Sequence, residues 1–131
     1  SEMCIRDSVK DVHLIDPLDV VDFHNLQAKS SFIMSDSGGV QEEAPALHKP
    51  VLVLRDTTER PEGVSAGTLK LVGTNGENVK KEMLRLLDDE EEYQRMANAR
   101  NPYGDGHACE RILDAIAYYF KRTDVRPKDF V

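Results

Sequence analysis

Ser37, Gly38 and Gly39 stand between a short apolar run, FIM, and a helix-like stretch, QEEAPALHK. Small residues where a strand hands over to a helix can hold an anion. Glycine permits backbone conformations and close approaches that a Cβ would block, and the unpaired N–H groups of a first helical turn point at whatever lies ahead of it. The positive end of the helix dipole adds to the attraction, so no lysine is required. The loop matches neither the G-x-G-x-x-G pattern nor the Walker A pattern. The alternative is a tight strand-to-helix turn with Ser37 as its N-cap.

Glu43 lies four residues beyond Gly39 on the same helix face, and helical side chains lean toward the N-terminus, so its carboxylate can reach back over the first turn. Glu42 points elsewhere. A carboxylate repels phosphate but accepts hydrogen bonds from ribose hydroxyls, so a nucleotide sugar beside the loop would satisfy both groups. Otherwise these residues are an ordinary acidic first turn. In RDTTERPE, Arg55 and Arg60 are candidate cations, since a guanidinium fork suits diphosphate oxygens. They can equally pair with Asp56, Glu59 or Glu62. Thr57 and Thr58 either donate to a ligand or cap a turn. Phe23 fits a core position or a place beside a base, and Tyr103 reads as a packed loop anchor. The four histidines show no ligand-like spacing, and Cys4 and Cys109 are isolated. Nothing here suggests a disulfide framework or a metal site, and the pattern suits a reducing cytoplasm.

The elements that must position these groups alternate between strands and helices. Val12 to Ile15 is a strand candidate closed by Asp16-Pro17, which suits an N-cap and a first helical position. An irregular amphipathic helix follows from Leu18 to about Ala28. Ser31 to Ser35 has strand length, and Gln41 to His48 reads as a helix that Pro45 shortens. Pro50 to Arg55 is the clearest strand, because continuous valine and leucine imply burial on both faces. Thr57 to Gly67 reads as a loop with one helical turn, Thr68 to Val72 as a strand. Helices are expected from Val79, around Tyr93 to Ala97, and from Ala108 to Tyr119. The fold class is therefore α/β, a parallel Rossmann-like sheet flanked by helices. In such sheets ligands collect at the carboxyl ends of the strands, which would make the Ser37 and Arg60 loops neighbours.

A chain of 131 residues with 40% hydrophobic content accommodates one domain with a core. The formal net charge of -7 argues against broad electrostatic binding to nucleic acid or anionic lipid. The apolar runs fall short of the roughly 18 residues that span a bilayer, and SEMCIRDS has no secretory pattern. The chain does not start with methionine, and it reads as a piece beginning inside a larger protein, with residues 1–8 as a non-native or unstructured leader.

Together, SDSGGVQEEAPALHKPVLVLRDTTERPE, AGTLKLVG and NPYGDGHACERI closely resemble the C-terminal half of the non-hydrolysing bacterial UDP-N-acetylglucosamine 2-epimerases. The resemblance runs from about Val12 to Phe120. It implies the C-terminal domain of a two-domain GT-B enzyme, with UDP held mainly by this half and the sugar between the halves. Residues 9–122 would be the UDP-binding domain and 123–131 a tail. The implied reaction interconverts UDP-N-acetylglucosamine and UDP-N-acetylmannosamine by elimination of UDP and re-addition on the other face, without NAD or metal. Position by position, the resemblance implies that Ser37, Gly38 and Gly39 bind phosphate, Glu43 holds the ribose, and Arg60 lines the substrate site. It places Phe23 and Leu18 near the uracil, although some relatives carry glutamine at the position of Leu18. The groups assigned to proton transfer belong to the N-terminal domain. The chain alone is then expected to bind UDP or a UDP-N-acetylhexosamine without turning it over, its parent being a cytoplasmic homodimer supplying cell-envelope polysaccharide. The other readings are the UDP-sugar half of a GT-B glycosyltransferase and a non-catalytic nucleotide-binding module.

Overall fold

The computed structural model describes residues 10–129. Its centre is a three-stranded parallel sheet in the order β1-β2-β3, formed by Ile33–Ser35, Val51–Val53 and Leu69–Leu71. Ile33 pairs with Val51 and Val51 with Leu69, so the strands run in register. β2 is central, and all three of its side chains are wholly buried. Alternation along a strand sends them to opposite faces. Val51 and Val53 pack with Ala44 and Leu69 on one side. Leu52 packs with Val72, Leu86 and Met96 on the other. The uninterrupted VLV run is apolar because both faces are covered.

Around the sheet lie α1 (Val20–Lys29), α2 (Gly38–Glu43), α3 (Pro61–Ala66), α4 (Gly76–Asp88), α5 (Glu90–Ala97) and α6 (Ala108–Tyr119). α2 continues as a 3-10 turn, Ala44–Leu47. Pro45 has no N–H to give to the α-helical ladder, and the chain tightens at that point. The turn closes on His48, whose φ of 56° is left-handed and whose Nδ1 lies 3.1 Å from the Ala97 carbonyl. This ties α2 to the end of α5.

Val12 to Ile15, expected as a strand, forms none. Among the described residues no neighbouring strand offers it a ladder, and Val12, Leu14 and Ile15 are 52%, 56% and 62% exposed. The expected Asp16-Pro17 helix start also moves: Asp19 is the cap, its carboxylate accepting from the N–H groups of Val21 and Asp22 at 3.0 Å each. Leu18 therefore precedes the helix. α4 starts three residues ahead of Val79, because the Asn75 side chain caps it by accepting from the Asn78 N–H. The final helix falls at the expected residues but buries none of them. Cys109 is a free, exposed thiol; Cys4 and the leader lie outside the described residues. Among the described residues no helix is long and apolar enough to cross a membrane.

Candidate functional site

The parallel strands bring three loops to one edge of the sheet, those following Ser35, Val53 and Leu71. In the first, Ser37 occupies the N-cap position of α2 but its hydroxyl caps nothing. Its N–H donates to Ser35 Oγ at 3.1 Å. The plain-turn reading required that hydroxyl to cap the helix, and instead it remains available beside Gly39. A Cβ at Gly39 would lie 3.8 Å from Ser37 Oγ and 3.9 Å from Glu43 Oε1. Glu43 thus reaches back over the first turn, as its spacing requires. Its other oxygen, Oε2, pairs with His24 Nε2 at 3.1 Å, in a contact where both side chains are 45% exposed. His24 sits on α1, so this pair ties the acidic end of α2 to its neighbour.

The second loop supplies the cation. Arg60 Nε donates to Glu42 in a short ion pair, and Nη1 donates to the Glu59 carbonyl at 3.1 Å. Nη2 makes neither bond and faces the first glycine, 3.9 Å from where a Gly38 Cβ would stand. Thr58 is the brace. Its hydroxyl donates to Gln41 Oε1 at 2.5 Å and accepts from the Arg60 N–H at 3.0 Å, and Gln41 is only 1% exposed. Arg55 is engaged with Glu59 at 3.0 Å. The expectation that Glu42 points away from the site is corrected here: it is the partner that orients Arg60.

One carboxylate opposes an anion. Glu59 Oε2 stands 3.6 Å from the Gly38 Cβ position, drawn toward this edge while its other oxygen pairs with Arg55. Phe23 lies 38% exposed on α1, lining a cavity of about 350 Å³ with Met34, Ser35 and Val40. Its ring centroid is 6.4 Å from that of His24. Leu18 stands apart before the Asp19 cap, 37% exposed. Ser37, Gly38, Gly39, Glu43 and Arg60 are therefore brought together, with Phe23 on the adjoining helix. His24 and Gln41 join them without having been foreseen, Glu42 joins against the expectation, and Thr58, weighed as a ligand donor or a turn cap, joins as the brace of Arg60. No local pattern marks these four, because each is defined by a partner 17 to 19 residues away.

Below this edge, Tyr103 reaches in from the loop ahead of α6. Burial pushes its phenol above the usual range, and the nearby Glu62 carboxylate adds to the effect. The loop is shaped by Asn101, whose side chain accepts from the Tyr103 N–H at 3.0 Å and donates to the Gly104 carbonyl at 3.2 Å.

As an arrangement, the edge offers small residues and a helix start for an anion, a guanidinium facing them, and a carboxylate one turn along for hydroxyl donors. Residues 2–117 match the family model described as UDP-N-acetylglucosamine 2-epimerase. The chain is similar to a UDP-N-acetylglucosamine 2-epimerase of Bacillus subtilis, 60% identical over 119 residues that make up 91% of this chain and 31% of the relative. The S. aureus MnaA–UDP co-structure superposes with a TM-score of 0.88 at 56% identity, covering 98% of this chain and 35% of that one. The crystal structure of the Neisseria meningitidis UDP-GlcNAc 2-epimerase bound to UDP-GlcNAc gives 0.82 at 52% identity, covering 88% and 32%. The chain spans about a third of the length of the curated relatives it matches.

Proposed function

Because the chain belongs to the UDP-N-acetylglucosamine 2-epimerase family, we propose that residues 9–122 hold the UDP moiety of a UDP-N-acetylhexosamine, with 123–131 as a tail. Ser37, Gly38 and Gly39 receive the diphosphate, Arg60 faces it from the neighbouring loop, and Glu43 accepts from the ribose hydroxyls. Phe23 and Leu18 stand toward the base. The observation carrying this reading is the convergence of Ser37 Oγ and Glu43 Oε1 on Gly39, with Arg60 Nη2 facing Gly38. An anion donor site and a hydroxyl acceptor one helical turn apart suit a ribose diphosphate better than phosphate alone. The UDP-bound S. aureus relative supports the same choice.

In the parent enzyme this half would anchor the nucleotide while UDP leaves carbon 1 and a proton leaves carbon 2, giving a 2-acetamidoglucal, after which UDP and a proton are re-added, the proton reaching carbon 2 from the other face. That interconverts UDP-N-acetylglucosamine and UDP-N-acetylmannosamine. The proton-transfer groups belong to the remaining length of the longer relatives, so this chain binds without turnover; the parent acts as a cytoplasmic homodimer. Calorimetric titration of UDP into the 131-residue chain tests the binding. Saturable uptake at one site, weakened in Glu43→Ala, is expected. No binding, or unchanged affinity in the variant, would remove the ribose role.

A further inference from the structure

We propose that Tyr103 is the positioning residue for Arg60: its side chain, with the hydroxyl as the tip, is a wedge that holds the first turn of α3, and through that turn sets where the guanidinium stands. The inference rests on the reading of Arg60 as a ligand of the diphosphate. Gly63 is the link. Its carbonyl accepts from the Gly67 N–H at 3.1 Å, the Thr68 N–H at 3.0 Å and the Thr68 hydroxyl at 3.2 Å, and its own N–H donates to the Arg60 carbonyl at 3.2 Å. Four hydrogen bonds thus meet on one peptide segment, and one of them is Arg60's own backbone. A Cβ added to Gly63 would overlap the Tyr103 hydroxyl and the Leu69 side chain. Tyr103 and Leu69 therefore close on Gly63 from the core side, and only glycine leaves room for both.

Arg60 depends on that contact because its backbone is held by so little else. It sits at the N-cap of α3 with φ -123° and ψ 59°, and its side chain does not cap the helix. Its N–H is tied to Thr58 and its carbonyl to Gly63. Retreat of Tyr103 frees Gly63 to shift, and the shift passes to Arg60 through that second bond. The phenol oxygen is buried with no hydrogen bond of good geometry, although it faces the Gly63 N–H, which donates to the Arg60 carbonyl. The hydroxyl therefore positions by its bulk, as the tip of the side chain that meets Gly63, rather than by a hydrogen bond. Tyr103 is in turn aimed by the two bonds of Asn101.

The test is UDP titration and thermal melting of the chain and of Arg60→Ala, Tyr103→Phe, Tyr103→Leu, the Arg60→Ala/Tyr103→Leu pair, and Leu86→Ala. Tyr103→Phe removes the atom that meets Gly63 and is expected to weaken UDP by more than about twofold, the error of additive energetics, though less than the leucine variant; binding within that error would count against the proposal. Tyr103→Leu is expected to lose about fivefold or more, within the range of coupling between contacting residues, and to lose nothing further once Arg60 is alanine. Leu86→Ala empties a remote core position, and should lower the melting temperature without altering affinity. If Tyr103→Leu fails to fold, Asn101→Ala, which unties the loop but leaves the ring, carries the same expectation. Unchanged affinity in the leucine variant, an equal loss in the Arg60→Ala background, or an equal loss in Leu86→Ala would overturn the proposal. A parent chain that binds no UDP, or an Arg60→Ala variant that binds normally, would instead defeat the underlying site reading, and the wedge role with it.

Discussion

Glu43 and Glu59 are two carboxylates at one edge with opposite expected effects. Glu43 Oε1 overlooks Gly39 from one helical turn away, the distance at which ribose hydroxyls rather than phosphate oxygens would meet it. A hydrogen bond to a charged acceptor contributes about 1.5–3 kcal/mol, so Glu43→Ala should weaken UDP by about 10- to 100-fold, as read by calorimetry. Glu59 Oε2 lies beside Gly38, where the diphosphate is proposed to sit. Exposed charge pairs are worth about 0.2–1 kcal/mol, so Glu59→Gln should tighten UDP by about two- to fivefold. That gain should shrink in high salt, because exposed charges are screened; weaker binding would mean that Glu59 serves the site by holding Arg55. The reach of Glu43 was legible because helical period is local. The pairing of Arg60 with Glu42 was not, since any of four nearby carboxylates satisfies a guanidinium and only packing chooses.

At the scale of elements, the junction of α4 and α5 carries a cluster of charge around one buried carboxylate. Glu92 is 8% exposed, yet its carboxyl is held at about 2, below the ordinary 4.5, first by its hydrogen bonds from Arg95 and then by the charges of Arg95, Arg85 and Lys70, against the opposing effect of burial. Its oxygens lie 2.8 Å from Arg95, 3.6 Å from Arg85 and 3.8 Å from Lys70. A carboxyl with a depressed folded pKa contributes stability that is complete above its unfolded value and is lost as pH falls through the folded value. Glu92 should therefore support the fold at neutral pH and withdraw that support between about 4.5 and 2. Glu92→Gln is expected to cost about 1–3 kcal/mol at pH 7, the range for hydrogen bonds to a charged group, with the low end favoured because Arg95 and Arg85 stand half in solvent. It should also flatten the acid limb of the denaturation curve across that window. Chemical unfolding at a series of pH values checks both. The amphipathic spacing of α4 and α5 made these helices readable, and the charge cluster arose only when their polar flanks met over Lys70 of β3.

For the whole molecule, folding and ligand are linked. Saturating UDP, proposed to bind the folded chain and not the unfolded one, should raise its stability by about 2.7 kcal/mol at a hundredfold excess over the dissociation constant, read as a shift of the melting temperature. Incubation with UDP-N-acetylglucosamine should yield no epimer, detectable by proton NMR of the sugar, if the proton-transfer groups lie, as proposed, in the remaining length of the longer relatives. Turnover by the chain alone would refute that division of labour. The apolar stripe of α6, with Ile112, Leu113 and Ile116 at 57%, 66% and 50% exposed, keeps its helical period although the described residues bury none of it.

Much of the α/β order was written in local pattern. The continuous VLV run made β2 a central strand, the Ser-Gly-Gly turn opened α2, though at Gly38 rather than the expected Gln41, and four-residue spacing aimed Glu43 at Gly39. These follow from backbone geometry and periodicity over a few residues, which a sequence displays directly. Tertiary structure decided the rest. Val12 to Ile15 carries strand composition but has no ladder to join, since a strand exists only beside another. His24 met Glu43, Glu42 took Arg60, and Tyr103 closed on Gly63 across 40 residues. Those pairings are chosen by how the layers pack, and nothing in the spacing of either partner announces the other.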